Sequence, residues 1–323
     1  MLQTKAIYNL LRLNAAEDPT FVADPWALED LRPISQEKLF SRLGEFHVVV
    51  DRPAFLQFGE SCETPEDLAE LLLPDEADEK VRDAFYLLIF ELWRRLLPEK
   101  QSLSIFCDEL DHRITLYDGG DATSDELVQD VLANLLEVLD ENADVGTDPE
   151  EVFSAISEYC AHDIESFLYE YISDLLDSGN SLYAAELIEG FSPYVGEPIW
   201  FDFLNARLLS VTDIGDANLA MHQLLQSEVE LPLLLEMIRF LSVSGEHELF
   251  TLAVKKSLPL LTSQEEFLEL LGFIVEYYRR LDEDEMEQAI QKIIDQRKEL
   301  SGPLNISDPA LKTLQDLVSA ARY

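Results

Sequence analysis

Positive charge is what this chain has least of. Its 323 residues hold 23 Lys and Arg against 65 Asp and Glu, a formal net charge of −42 at pH 7. A face able to neutralise phosphates needs clustered cations, so direct binding to bare nucleic acid is not expected. Anionic membrane surfaces are disfavoured for the same reason. Glycine is also scarce, 12 residues in all, and abundant Leu, Glu and Ala favour helix over sheet. The three cysteines, Cys62, Cys107 and Cys160, have no metal-like spacing and fit a reduced, cytoplasmic protein in which each packs as a small hydrophobe. The start of the chain lacks the apolar core of a secretory signal, and no apolar run approaches the roughly 18–20 residues of a membrane span. Gly-rich phosphate loops, nucleophile elbows and Cys-x-x-Cys pairs are likewise missing.

What is present is a hydrophobic fraction of 47%, enough to build a core and to argue against disorder despite the charge. The charge is unevenly spread. Residues 114–206 hold 22 Asp and Glu and no Lys or Arg, which is about half of the net charge. Such a segment is either a solvated helical surface or a docking surface for something basic or cationic.

Apolar residues recur at steps of three and four, the signature of one helical face. Examples are Val81, Phe85, Leu88, Ile89, Leu92 and Leu96, then Ile164, Phe167, Leu168, Tyr171, Ile172 and Leu175. Leu103, Phe106, Leu110, Ile114 and Tyr117 predict a helix over Ser102–Tyr117 in preference to a hairpin. Asp24-Pro25, Thr64-Pro65, Asp148-Pro149 and Asp308-Pro309 read as helix starts, with capping boxes at Thr64/Asp67 and Ser263/Glu266. His47–Val50 is the one short stretch that could be a strand. The expected class is therefore all-α, with antiparallel helix pairs and short loops.

In the C-terminal half the pairs are 163–177 with 181–192, 197–210 with 216–227, 231–244 with 246–258, and 263–281 with 283–300. Ala184, Ala217, Ala253 and Ala289 fall early in the second helix of each, at spacings of 33, 36 and 36 residues, in the range of helical solenoids. Over roughly 163–300 the chain resembles tetratricopeptide-type repeats. Trp200, Ala217 and Pro232 stand for parts of that pattern, and Leu271-Gly272 occurs out of register. The resemblance implies an α-solenoid with a peptide-binding groove and transfers no binding residues. A plain bundle without repeats is the alternative. The N-terminal part shows no period, which suggests a helical domain over 1–145 and a helical-repeat domain over 146–323.

One loop has cation chemistry. Asp140, Asn142, Asp144, Asp148 and Glu151 place oxygens at positions 1, 3, 5, 9 and 12 of a twelve-residue stretch, the ligand pattern of an EF-hand calcium loop. Val145 stands where that loop wants glycine, and Asp148-Pro149 with Glu151 equally spells a helix start. Glu109-x-x-His112 resembles a di-iron step, and His162-Asp163 a metal dyad, without a complete ligand set. The expectation is a non-enzymatic, cofactor-free interaction scaffold, adaptor or chaperone that binds a basic peptide or an amphipathic protein segment through an acidic helical surface. The alternatives are a calcium-binding regulatory protein using 140–151, or an enzyme whose site is not written in local motifs.

Overall fold

The computed structural model describes residues 3–73, 77–120, 124–143, 146–305 and 307–320. Among these are eighteen α-helices and no strand; the one β-type contact is an isolated bridge between Ser263 and Pro303. Adjacent helices pack as antiparallel-type pairs, so the all-α expectation holds. No described helix is long and apolar enough to cross a membrane. The chain divides into two compact units, residues 1–170 with 193–196, and 171–192 with 197–323.

The first unit holds α1 (Thr4–Glu17), α2 (Pro25–Leu28), α3 (Gln36–Leu43), α4 (Arg52–Glu60), α5 (Pro65–Leu72), α6 (Glu79–Leu96), α7 (Leu103–Asp118), α8 (Ser124–Ala143), α9 (Pro149–Ser157) and the start of α10 (Ile164–Asp177). Its centre is α6. The sequence stripe suggested one buried face, yet all residues from Phe85 to Trp93 are buried, Glu91 included. A helix enclosed on every side is apolar all round over that stretch. Phe55, Leu39, Leu43 and Leu68 close around it from α4, α3 and α5. Lys100 then seals the end of α4, donating from Nζ to the carbonyls of Gly59, Glu60 and Cys62 at 2.8, 3.0 and 2.8 Å. This satisfies carbonyls that a helix end leaves without partners.

His47–Val50 is no strand: a 3-10 turn ends at Phe46, His47 sits in the left-handed region at φ 62°, and Val48 N donates back to Leu43 O at 3.3 Å. A three-residue apolar run is too short to specify pairing when the surrounding core is helical. The first unit runs on past residue 145, where α9 packs on α8.

The second unit holds the end of α10, then α11 (Ser181–Phe191), α12 (Pro198–Thr212), α13 (Ile214–Gln226), α14 (Leu231–Ser244), α15 (His247–Ser257), α16 (Gln264–Arg280), α17 (Asp284–Arg297) and α18 (Pro309–Ala320). The four pairs fall close to where the alanine spacing put them. Ala184 and Ala253 are fully buried and Ala217 nearly so, while Ala289 is half-buried and its neighbour Ile290 takes the inward position. The first helices of successive pairs lie side by side: α14 packs on α16, and Phe203 of α12 meets Phe240 of α14 edge-on at 6.1 Å. Of the second helices, α13 packs against α15.

Arg207 of α12 ties three first helices together. It donates to Ser173 Oγ at 2.5 Å and Asp177 Oδ1 at 2.6 Å on α10, and its guanidinium lies 5.7 Å from the Phe240 ring of α14. Ser173 and Asp177, Arg207, and Phe240 all lie near the C-terminal ends of their helices, so those ends share one level. Between α10 and α11 the chain reverses through Gly179 at φ 81°, with Asn180 N–H donating to Leu175 O at 2.8 Å, a C-terminal cap that favours glycine.

The caps separate by geometry. Thr64/Asp67 and Ser263/Glu266 form complete capping boxes, whereas Asp24 makes no cap and instead pairs with Lys80. Ser263→Ala is therefore expected to lower the unfolding free energy by about 1 kcal/mol, and Asp24→Ala to change it less. Urea denaturation of both variants decides the matter, and equal losses would contradict the assignment.

Candidate functional site

The acidic segment lies on the surface. Within 114–206, every Asp and Glu among the described residues is exposed except Glu165, which is half-buried and accepts a hydrogen bond from Gly196 N. Asp177 is neutralised by Arg207. The segment has no Lys or Arg of its own.

The calcium pattern meets a helix. α8 continues to Ala143, which places Asp140 and Asn142 in its last turn, two residues and about 200° apart around the axis. Asp140 Oδ1 accepts from the Tyr194 hydroxyl at 2.5 Å, and Asn142 Nδ2 donates to Val138 O at 2.7 Å. Asp144 lies outside the described residues. Asp148 caps α9 by accepting from Glu150 N at 3.0 Å, and Glu151 is exposed in the first turn of that helix. Among the described residues of the pattern, Asp140 is thus engaged by a tyrosine, Asn142 by its own helix and Asp148 by a cap. No cluster of three or more His, Cys, Asp or Glu able to hold a metal occurs among the described residues.

The histidines also find structural partners. His162 Nδ1 lies 3.0 Å from Asp111 Oδ1, not on Asp163, which caps α10 through Ser166 N at 3.2 Å. His112 is half-buried, and burial together with the nearby Arg32 pushes its pKa down. Glu109 is held by Arg32 and Arg113, so the Glu-x-x-His step is not poised for a metal.

The first unit also holds a buried charged cluster that no local motif spells out. Lys5, Asn9, Asp108 and Asp111 are all buried. Asp108 receives Lys5 Nζ at 2.7 Å, Arg32 Nη2 at 2.6 Å and Asn9 Nδ2 at 3.0 Å. Asn9 donates also to Asp111 at 3.1 Å, and its carbonyl oxygen accepts from Lys5 and Arg12. Asp111 in turn accepts from Ala161 N at 2.9 Å and His162 N at 3.1 Å, fixing the link between α9 and α10. Burial opposes the charge on Asp108, but the Lys5 ammonium and Arg32 guanidinium outweigh it and hold the carboxyl well below its ordinary range. Burial pushes the Lys5 ammonium down, with Asp108 pulling the other way. A faint signal existed: Asp108 and Asp111 interrupt the apolar stripe of α7 three residues apart, beside Cys107 and Leu110.

Chemically this cluster is a closed clamp. The cavity beside it, lined among others by Lys5, Arg12, Arg32 and Glu91, measures about 20 Å³, room for one water and not for a substrate. A wider open depression of about 700 Å³ lies over Ala23, Pro25, Trp26, Leu28 and Glu29. Its single charged group, Glu29, is gripped by Arg42 through two hydrogen bonds of 2.7 and 2.8 Å.

Replacing Asp108 by Asn leaves Lys5 and Arg32 facing a neutral group, a change expected to cost about 3–5 kcal/mol at pH 7. The wild-type carboxyl titrates lower when folded than when unfolded. On acidification the unfolded chain therefore takes up the proton first, and the contribution fades below about pH 4. Urea unfolding at pH 7 and pH 3.5 should show the penalty shrinking with acid; a constant penalty would contradict the ionic account. Calorimetric titration with calcium is expected to give no saturable heat, and a one-to-one isotherm would restore the 140–151 loop as a site.

Compared with known families, curated proteins and solved structures, the chain matches none.

Proposed function

We propose that this chain is a non-enzymatic, cytoplasmic interaction scaffold, an adaptor or chaperone, whose acidic helical surface captures a basic or amphipathic protein segment. The observation that carries this reading is the exposure of the cation-free acidic segment over 114–206. Surfaces of one sign raise the encounter rate with oppositely charged partners and reject like-charged ones, nucleic acid among them. The paired helices of the second unit, stacked first on first and second on second, favour a tetratricopeptide-like solenoid as the frame. Such frames present side chains from successive repeats to one extended ligand.

The test uses defined peptides. A fluorescent helical peptide rich in Lys and Leu is expected to bind at 50 mM salt, and an acidic peptide of equal length is not. Exposed charge is screened within about 10 Å at 0.1 M salt, so affinity should fall by roughly tenfold or more on going to 500 mM. Anisotropy titrations read both quantities, and binding that ignores salt would sink the electrostatic mechanism.

A further inference from the structure

The second unit exposes apolar side chains where its helix pairs turn. Leu182 follows the α10–α11 turn and is 78% exposed. Val211 and Ile214 flank the α12–α13 turn at 61% and 52%, and Val243 precedes the α14–α15 turn at 68%. Scattered exposed hydrophobics are ordinary on any surface. These are not scattered, because the turns lie at one end of the unit. The contacts of Arg207 with Asp177 and Phe240 put the C-termini of α10, α12 and α14 at one level, and Arg280, at the end of α16, donates to Gly245 O at 3.0 Å. The first helices therefore run parallel, and each turn follows the last at roughly the 8–10 Å spacing of packed helices.

The charge around this row has one sign. None of the stretches 177–182, 211–216 and 243–248 contains Lys or Arg, while Asp213, Asp216, Glu246 and Glu248 are exposed on or beside the turns. The cations that approach are committed: Arg239 to Glu236, Arg279 to Glu287, and Arg280 to the Gly245 carbonyl and the Tyr277 ring.

We infer that this edge of the second unit docks a basic amphipathic helix of another protein, lying across the turns with its apolar residues on Leu182, Val211–Ile214 and Val243. The inference rests on the scaffold reading above and gives it a place and a ligand geometry. An α-helix rises 1.5 Å per residue, so seven residues, two turns on one face, cover about 10.5 Å, close to the step from one turn to the next. The matching partner carries apolar residues at i, i+7 and i+14, with Lys or Arg flanking them to meet the acids of the turns.

Two peptides of identical composition test this: one with Leu at i, i+7 and i+14, the other with the same leucines dispersed around the helix. The double variant Leu182→Ser with Val243→Ser alters exposed side chains only, and circular dichroism checks its fold. The patterned peptide is expected to bind wild-type protein about tenfold more tightly than the dispersed one, consistent with burying one to two large aliphatic side chains. The double variant should erase that preference and leave binding of the dispersed peptide unchanged. Equal binding of both peptides to wild-type protein, or a preference that survives in the variant, overturns the docking edge while the acidic-surface reading stands. Failure of both peptides to bind at low salt removes that reading together with the edge. A concentration-dependent dimer in sedimentation, dissolved by the same substitutions, overturns the inference in favour of self-association.

Discussion

Asp108 between Lys5 and Arg32 shows the constraint on which this protein depends: cations are scarce, and buried anions cannot do without them. A carboxylate taken out of water costs several kcal/mol unless it is paired and hydrogen-bonded. Asp108 meets that condition with two cations and an amide, and the groups that meet it come from α1, from the segment after α2, and from α7. Asp111 extends the network to backbone amides beyond α9. Ion pairs of this kind add little net stability over apolar packing, but they penalise every arrangement in which one partner is missing. In a unit made of helices with similar apolar stripes, that penalty helps to choose one packing among several.

The same use of cations recurs in the second unit. Arg207 is buried among α10, α12 and α14, and Arg297 is buried where it reaches Gln264 of α16 and Asp308 ahead of α18, with its guanidinium 5.2 Å from the Phe267 ring. Lys100 seals the end of α4, and Arg95 donates to the carbonyls of Leu31, Arg32 and Ile34. A planar guanidinium can join several elements because its donors are fixed in direction and its faces accept aromatic rings. Each cation turned inward is one fewer on the surface. The anionic exterior is therefore partly a consequence of how the interior is assembled, beyond the count of 65 against 23.

Helices were legible because their signals are local. Steps of three and four located the four pairs of the second unit to within a few residues, and Thr64 and Ser263 announced caps that form as expected. Asp24 also stands ahead of a helix that starts at Pro25, but its side chain makes no cap, since it has a competing partner in Lys80 that the neighbouring residues do not reveal. The 140–151 pattern is ambiguous for a related reason. Spacing alone does not show that α8 persists to Ala143, and a continued helix turns Asp140 and Asn142 away from each other. The Asp108 cluster stayed hidden because its members are brought together from positions about a hundred residues apart. Pairing over such a distance leaves only an indirect trace, two acids set in the apolar stripe of α7.

The acids at the turns of the second unit already have a local reason to be there. Asp216 lies in the first turn of α13, Glu248 in that of α15, and Asp284, Glu285 and Glu287 in that of α17. Negative charge at a helix N-terminus is stabilised by the exposed amides and the helix dipole. Stability alone would therefore place acids at this edge, and their presence does not by itself speak for a partner. Leu182, Val211, Ile214 and Val243 are different. Exposed, they gain nothing from the fold, and a polar residue at each position would keep the helices and lower the risk of aggregation. In the docking proposed above, their alignment along one edge, among acids that the helices favour anyway, would turn an acidic surface into a specific one: charge would bring a basic chain near, and the spacing of the apolar residues would select which helix fits.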